Sequence, residues 1–416
     1  MAAKAEDPIA ALLKVAQKKY NLTVGPMDAV AEGIRFITTG NLAIDFAIGG
    51  GIPLGRTIEA FGPPSCGKTT TALQTAAALQ KIILAGGDEE LGVKADDHIL
   101  YLDYEQAMDK VYAASLGLDT DHPSFLFTQP DTLEDGANFI LDAVKTGRIR
   151  LVIVDSVAAM NPSAKAEAEI GKSLPAVQAK LLKDFGMNLN SALANHGASV
   201  FFLNHEIDVM DMGARRPGMP APTTTSGGKA TKYFASVRIQ YRMVRQNKAE
   251  ATDPLTQEKI QQVVSTDVRV KVVKNKVAPP FREALVRVRF GRGFDQFWTA
   301  LQILLGNKKI RYESGRYYFH EIADEGFAPD WMPRLATGTN RPYIHGEANV
   351  FAAGDANPEW RDGLIALAKS VVEENAAALE TVVPLREASV EEETESLELD
   401  AMLGDLPSAA GNRVEI

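Results

Sequence analysis

Residues Gly62-Pro63-Pro64-Ser65-Cys66-Gly67-Lys68-Thr69 follow the spacing GxxxxGK[ST], with Thr70 continuing into a helix-like stretch. An apolar strand pattern runs up to Phe61 and a helical one from Thr69 to Gln80, the setting such a loop requires. The chemistry implied is phosphate binding. Glycines let the backbone wrap an anion with its N–H groups, and the positive end of the next helix lies where the anion sits. Lys68 is placed to reach the β- and γ-phosphates of ATP, and the Thr69 hydroxyl to ligate Mg²⁺. Cys66, the only cysteine, reads as a small filler beside the phosphates. A single thiol excludes an internal disulfide framework or a thiolate-cluster metal site.

Two acids extend this chemistry. The run Leu151-Val152-Ile153-Val154 ends in Asp155, as a strand that presents a carboxylate to a nucleotide-bound Mg²⁺ does; the plainer reading is an acid that ends a strand or caps a helix. Hydrolysis also needs a carboxylate to orient a water in line with the γ-phosphate. Glu105, just past the strand Ile99 to Asp103, is the best candidate, its alternative being an ordinary acid in the first turn of a helix.

Elements that alternate between strand and helix patterns must position these groups. Thr57–Phe61, Ile99–Asp103, Leu151–Asp155 and Val200–Asn204 read as strands, separated by helices at Thr69–Gln80, Leu133–Lys145 and Val177–Ala194. That order predicts an α/β fold with a mostly parallel sheet flanked by helices. Ser236–Val244, Val268–Val273 and Ala284–Phe290 lack helical crossovers and should pair antiparallel at one edge. Residues 161–173 and 206–228 show neither period; loops that long beyond parallel strands lie on the chemically active edge. We expect an N-terminal helix and oligomerisation segment over 1–36, an ATPase core over 37–290, a smaller α+β domain over 291–384 and an acidic, disordered tail over 385–416.

Composition is that of an ordinary globular protein: 45% hydrophobic and 24% charged residues in a chain of 416. No apolar run is long enough to span a bilayer and no leader is visible in MAAKAEDPIA, so a cytoplasmic protein is expected. The net charge of −10 is mostly a tail effect. Eight acids fall between 387 and 405, leaving the remainder near −2 and a local basic surface open to nucleic acid.

The segment Tyr101-Leu102-Asp103-Tyr104-Glu105-Gln106-Ala107-Met108-Asp109, followed by Tyr112, resembles the acidic catalytic segment of the bacterial and bacteriophage RecA recombinases. Similar stretches are Thr38–Leu42, Thr128–Thr132, Val154–Ala159, Thr223–Gly228 and Lys271–Lys276, together spanning about residues 36–290 in the family's order. The resemblance implies an ATP-dependent, DNA-dependent ATPase that forms helical filaments on single-stranded DNA and exchanges strands with homologous duplex in recombination and repair. It implies Glu105 as the water-activating base, Tyr112 against the adenine, Asp109 near its amino group, and Lys274 and Lys276 reaching the ATP of an adjacent subunit. Core packing for Tyr112 and a solvated strand end for the lysines are the plainer readings.

The likeness also makes 161–173 and 206–228 the DNA-binding loops, with Lys165, Lys172, Arg215, Arg216, Thr225, Ser226, Gly227 and Gly228 as contacts. Neither loop carries an aromatic for stacking, which suits a protein that grips backbone and leaves bases free. His205 departs from the family, which has a γ-phosphate-sensing glutamine there. Gly86–Asp97 and Glu250–Gln262 are insertions that read as surface elaborations. Two other classes fit the core: a ring-forming motor or helicase, and a non-catalytic ATP-gated DNA-binding scaffold.

Overall fold

The computed structural model describes residues 8–20, 24, 33–166, 175–208, 223–228, 230–252, 255, 257–329, 331–332 and 342–382. It divides into two units, Met1–Gln302 and Ile303–Ile416. The larger is built on one sheet whose strands are β1 (Thr57–Gly62), β2 (His98–Asp103), β3 (Phe125–Thr128), β4 (Ile149–Asp155), β5 (Ser199–Asp208), β6 (Thr223–Thr225), β7 (Val237–Thr252), β8 (Lys259–Asn275), β9 (Glu283–Arg289) and β10 (Gly293–Phe294). Their order is β10-β9-β8-β7-β1-β5-β4-β2-β3, with β6 on β5. From β7 to β3 every neighbour is parallel, while β7, β8, β9 and β10 pair antiparallel. This is the expected α/β architecture.

Apolar side chains alternate between two covering layers, as the period of two requires. Ile99, Tyr101, Leu151, Ile153, Phe201 and Leu203 join a core with Leu73, Ala76 and Leu79 of the helix α3 (Lys68–Leu84). Leu100, Leu102, Val152, Val154, Val200 and Phe202 face the other way, onto Leu133 and Ile140 of α5 (Leu133–Lys145) and Leu182 and Leu189 of α6 (Pro175–His196). Burial on both faces explains the nearly continuous apolar runs of the central strands. Caps set the helix starts. Asn41 accepts from the N–H groups of Ala43 and Ile44 to open α2 (Leu42–Ile48), and Thr132 accepts from Asp135 to open α5. The N-terminal helix α1 (Pro8–Tyr20) forms as expected and leaves Ile9, Leu12 and Val15 exposed.

Several expectations need correction. The stretch 161–173 contains a helical turn at Ser163–Ala166, and the stretch 206–228 begins and ends in strand, with Thr223, Thr224 and Thr225 paired to Asp208, Ile207 and Glu206. Backbone pairing with β5 supplies order that the side-chain pattern did not announce. The insertion 250–262 is no separate elaboration; it is the distal part of the β7–β8 hairpin, whose pairing reaches Thr252 with Lys259. The insertion 86–97 is a small hairpin that ends in buried Asp97, held by Arg150 at 2.6 Å, so it is tied into the body by an ion pair.

A second buried acid anchors the antiparallel edge. Asp267 of β8 accepts from Arg287 of β9 at 2.7 Å and from Arg245 and Asn247 of β7 at 2.7 and 2.8 Å. Burial raises its pKa, but these donors outweigh it and hold the carboxyl below its usual range.

The smaller unit contains an antiparallel sheet of Arg311–Glu313, Arg316–Tyr318 and Tyr343–His345, followed by helices Glu347–Ala356 and Pro358–Val382. Trp360 packs edge-on against Phe319 and Trp331 and donates to the Phe327 carbonyl at 3.2 Å. The acidic tail lies outside the described residues. No helix among the described residues is long and apolar enough to cross a membrane.

Because Asp267 is buried and shared by Arg287, Arg245 and Asn247, Asp267→Ala should destabilise the larger unit by about 3–5 kcal/mol through the loss of the carboxylate that joins three strands. Chemical denaturation followed by tryptophan fluorescence and circular dichroism checks it; a loss under 1 kcal/mol would contradict the assignment.

Candidate functional site

The phosphate loop leaves β1 at Gly62, whose φ is +152° and where a Cβ would meet the Tyr241 carbonyl oxygen at 2.3 Å. Only glycine lets β1 and β7 close that tightly. Gly67, also at positive φ, precedes α3 and offers no side-chain cap, so the first N–H groups of α3 stay open to an anion. Lys68 is buried over its own loop, donating to the carbonyls of Gly62 at 3.0 Å and Pro63 at 2.7 Å. Cys66 is buried, and burial pushes its thiol above the usual range, as suits a filler. Pro64 and Ser65 are exposed and Thr69 is half-buried at the helix start.

Strand register brings the remaining groups to the same edge. Gly62 lies beside His205, and Asp103 beside Asp155. Asp155 accepts from the Tyr101 hydroxyl at 2.8 Å, and burial, with the neighbouring Glu105 and Asp103 charges, lifts its carboxyl to about 6. A hydroxyl at Thr69 and a carboxylate at Asp155 are hard oxygen donors of the kind Mg²⁺ accepts beside phosphates. Among the described residues no group of three or more His, Cys, Asp and Glu side chains gathers to hold a metal.

Glu105 stands on a turn anchored at both ends. Its own N–H and that of Tyr104 donate to the Asp155 carbonyl at 3.3 and 2.7 Å, while the Asp103 carboxylate accepts from the N–H groups of Ala107 and Met108. The Glu105 carboxylate accepts from the Ser156 hydroxyl and shares a hydrogen bond of 2.9 Å with Nε2 of His205. Burial raises its pKa, but the bonds from Ser156 and His205 outweigh that and hold it below the ordinary glutamate value. The carboxylate is therefore ionised at neutral pH.

Asp109 caps α4 (Lys110–Ser115) by accepting from the Tyr112 N–H at 2.9 Å, and Tyr112 packs on the core with its hydroxyl 2.7 Å from that of Thr70. Tyr112 thus ties α4 to α3, while Asp109 fixes the start of α4. Lys274 donates to the carbonyls of Lys232 and Tyr233 at 2.7 and 3.0 Å, at the end of the short helix Ala230–Phe234. Burial, then Lys276 and Arg238, lower its pKa. Lys276 is exposed.

Of the DNA-loop candidates, Lys172, Arg215 and Arg216 lie outside the described residues, and Lys165 falls in the Ser163–Ala166 turn. Thr225 is 2% exposed, and a Cβ on Gly227 would meet Leu182 at 2.6 Å. Ser226 is half-buried and Gly228 exposed, so of these four Thr225 and Gly227 are the packed ones.

Beneath the site lies a group that motif spacing did not reveal. Glu59 of β1 is fully buried and accepts from Arg238 of β7 at 2.5 Å and Asn204 of β5 at 2.7 Å. An acid inside the apolar strand Thr57–Phe61 was its one visible signal. Asp103, which shapes the Glu105 turn, was likewise passed over as the end of a strand.

The family model described as "RecA N-terminal domain" matches residues 9–295. The chain is 37% identical over 330 residues to Protein RecA of Rhodococcus jostii, covering 77% of this chain and 85% of that relative. It is 38% identical over 298 residues to Protein RecA of Mycobacteroides abscessus, covering 71% and 76%.

The raised Asp155 value sets a stability trend. The folded state keeps this proton up to about 6 whereas the unfolded chain releases it near 3.8, so without nucleotide, stability falls as pH rises across that window. Asp155→Asn should therefore be more stable than wild type at pH 7.5, by on the order of 1–3 kcal/mol, with the gain vanishing below pH 4. Melts of both proteins from pH 4 to 8 check this; a pH-independent difference contradicts it.

Proposed function

Because the chain belongs to the RecA family, we propose that Gly62–Thr70, Asp155 and Glu105 are the working nucleotide site of a recombinase that assembles as a helical filament on single-stranded DNA. As a family member it is an ATP-dependent recombinase of DNA recombination and repair, a DNA-dependent ATPase that binds DNA and forms filaments. A ring-forming motor or a non-catalytic scaffold is not favoured. The reading of individual residues, Mg²⁺ and the cytoplasm as the place of action is ours.

The observation that carries it is the convergence of Lys68, Asp155, Glu105 and His205 at the carboxyl edge of adjacent parallel strands. Lys68 leaves its two loop carbonyls for the β- and γ-phosphates, a change of acceptors with no change of charge. Thr69 and Asp155 would hold Mg²⁺, which when bound neutralises charge that builds on the phosphate oxygens. Glu105 orients the attacking water; its ionised carboxylate is ready to accept a hydrogen bond or a proton. His205 donates from Nε2, first to Glu105 and, with ATP present, to the γ-phosphate, in the place of the family's glutamine. Tyr112 and Asp109 border the base of the nucleotide.

Lys274 and Lys276 serve the ATP of a neighbouring subunit, an arrangement that makes hydrolysis depend on assembly. The exposed apolar residues of α1 support docking on such a neighbour. The loops 161–173 and 206–228 take single-stranded DNA, then homologous duplex, through Lys165, Lys172, Arg215, Arg216 and the Thr225–Gly228 base.

ATP hydrolysis with and without single-stranded DNA, joined to an assay for pairing with homologous duplex, tests this. Glu105→Gln should lower hydrolysis at least about 100-fold while filaments still form and release DNA slowly. Lys68→Ala should lose nucleotide-dependent filaments altogether. Filaments that never produce joint molecules would refute the strand-exchange reading, and unchanged turnover in Glu105→Gln would remove Glu105 from its role.

A further inference from the structure

Tyr241 of β7 has no solvent exposure and meets the phosphate loop at both ends. At the first end its backbone carbonyl oxygen lies where a Cβ on Gly62 would come within 2.3 Å, so the loop leaves β1 pressed on this residue. At the other end its hydroxyl lies 2.8 Å from that of Thr71, and the Thr71 hydroxyl donates to the Gly67 carbonyl at 2.9 Å. Thr71 is likewise fully buried, in the first turn of α3.

The number of protons fixes the direction of these bonds. A threonine hydroxyl has one, and Thr71 gives it to Gly67, so the proton between the two hydroxyls comes from Tyr241. Burial pushes the phenol above its ordinary range, so it stays a neutral donor. The Gly67 carbonyl also accepts the Thr71 N–H at 3.0 Å. A relay therefore runs from the Tyr241 hydroxyl through the Thr71 hydroxyl to the Gly67 carbonyl.

That carbonyl shares a planar trans peptide group with the N–H of Lys68. The two point in opposite directions, so a carbonyl held from one side aims the N–H to the other. The Lys68 N–H is the first of α3, has no partner within its helix and belongs to the set open to an anion. Donors on the carbonyl also polarise the peptide and strengthen its N–H, an effect that passes along hydrogen bonds in series.

We propose that Tyr241 is a positioning residue for phosphate binding: through Thr71 it holds the Gly67–Lys68 peptide with its N–H turned toward the phosphates of the nucleotide. The proposal rests on the reading of Gly62–Thr70 as the nucleotide site. A buried tyrosine needs some partner for its hydroxyl, and an isolated pair would do no more than supply one. Two features set this pair apart. Thr71 hands the bond on to the loop, and the backbone of Tyr241 fixes where the same loop begins.

The tests are Tyr241→Phe, Thr71→Val and the two together in the full chain, with ATP and ADP affinity, steady-state hydrolysis and melting temperature measured for each. Backbone N–H groups of such a loop cradle the α- and β-phosphates, so Tyr241→Phe should weaken ATP and ADP alike by about fivefold, the scale of one net hydrogen bond. A contact made equally before and during reaction acts on KM, which should rise in step while kcat stays within about twofold. Thr71→Val should lose at least as much affinity and, by leaving the Tyr241 hydroxyl buried without a partner, lower the melting temperature. The double variant decides between positioning and packing. With both hydroxyls gone no polar group is stranded, so the melting temperature should return to within about 2 °C of wild type while affinity stays as low as in Thr71→Val. Affinity that recovers together with the melting temperature overturns the proposal, and so does wild-type ADP affinity in Tyr241→Phe or a kcat that falls as far as the affinity. Lys68→Ala keeps the two readings apart: it should lose ATP binding, and if it binds like wild type the nucleotide-site reading fails whatever the Tyr241 variants do.

Discussion

A carboxylate with no access to water sits under the phosphate loop, and the positions of three strands follow from it. Glu59 is met there by Arg238 of β7 and Asn204 of β5, the partners that a carboxylate removed from water requires. Each of those residues is adjacent to chemistry: Asn204 precedes His205, and Arg238 pairs in register with Lys274. Burying one acid thus helps set how His205 and Lys274 stand relative to Gly62. An apolar residue would pack the strands as well, but it would leave their rotation and register less sharply defined.

Above this layer the electrostatics run the other way. Asp103, Glu105 and Asp155 lie close together, with the Lys68 ammonium near enough to act on both Glu105 and Asp155. Asp103 accepts from backbone N–H groups, Glu105 from Ser156 and His205, and Asp155 from the Tyr101 hydroxyl. Asp155, whose carboxyl burial lifts to about 6, is the one of the three proposed to hold Mg²⁺. Folding without nucleotide carries this strain, and binding of a charged ligand relieves it, the usual relation between an active site and the stability of its scaffold.

Distal parts of the chain obey simpler rules. The β7–β8 hairpin extends past its neighbours because Asp267 gathers Arg245, Asn247 and Arg287 at the point where β9 ends, so the ribbon leaves the sheet from a fixed base. The small hairpin at 87–94 is similarly held by the Asp97–Arg150 pair. In both, a buried acid paired with arginine fixes the base of the hairpin.

Much of this was legible in the residues. The order of apolar runs determined the parallel sheet, because a strand covered on both faces must be apolar throughout, and the glycine-lysine spacing determined the phosphate loop, because an anion-wrapping turn admits few other residues. The antiparallel edge followed from the missing crossovers. Hidden were the contacts that depend on partners distant in the chain. Glu59, Asn204 and Arg238 are separated by well over a hundred residues or by a sheet crossover, and no local period links them. The strand ends of the second loop were hidden too, since β6 is three threonines whose structure comes from pairing with β5. Sequence alone determined the phosphate-loop spacing and the strand-end acids from which a nucleotide site is proposed, because these are local patterns. Only the tertiary structure decided how they are held together, because hydrogen bonds between buried polar side chains form where strands become neighbours, and that adjacency is a property of the folded sheet.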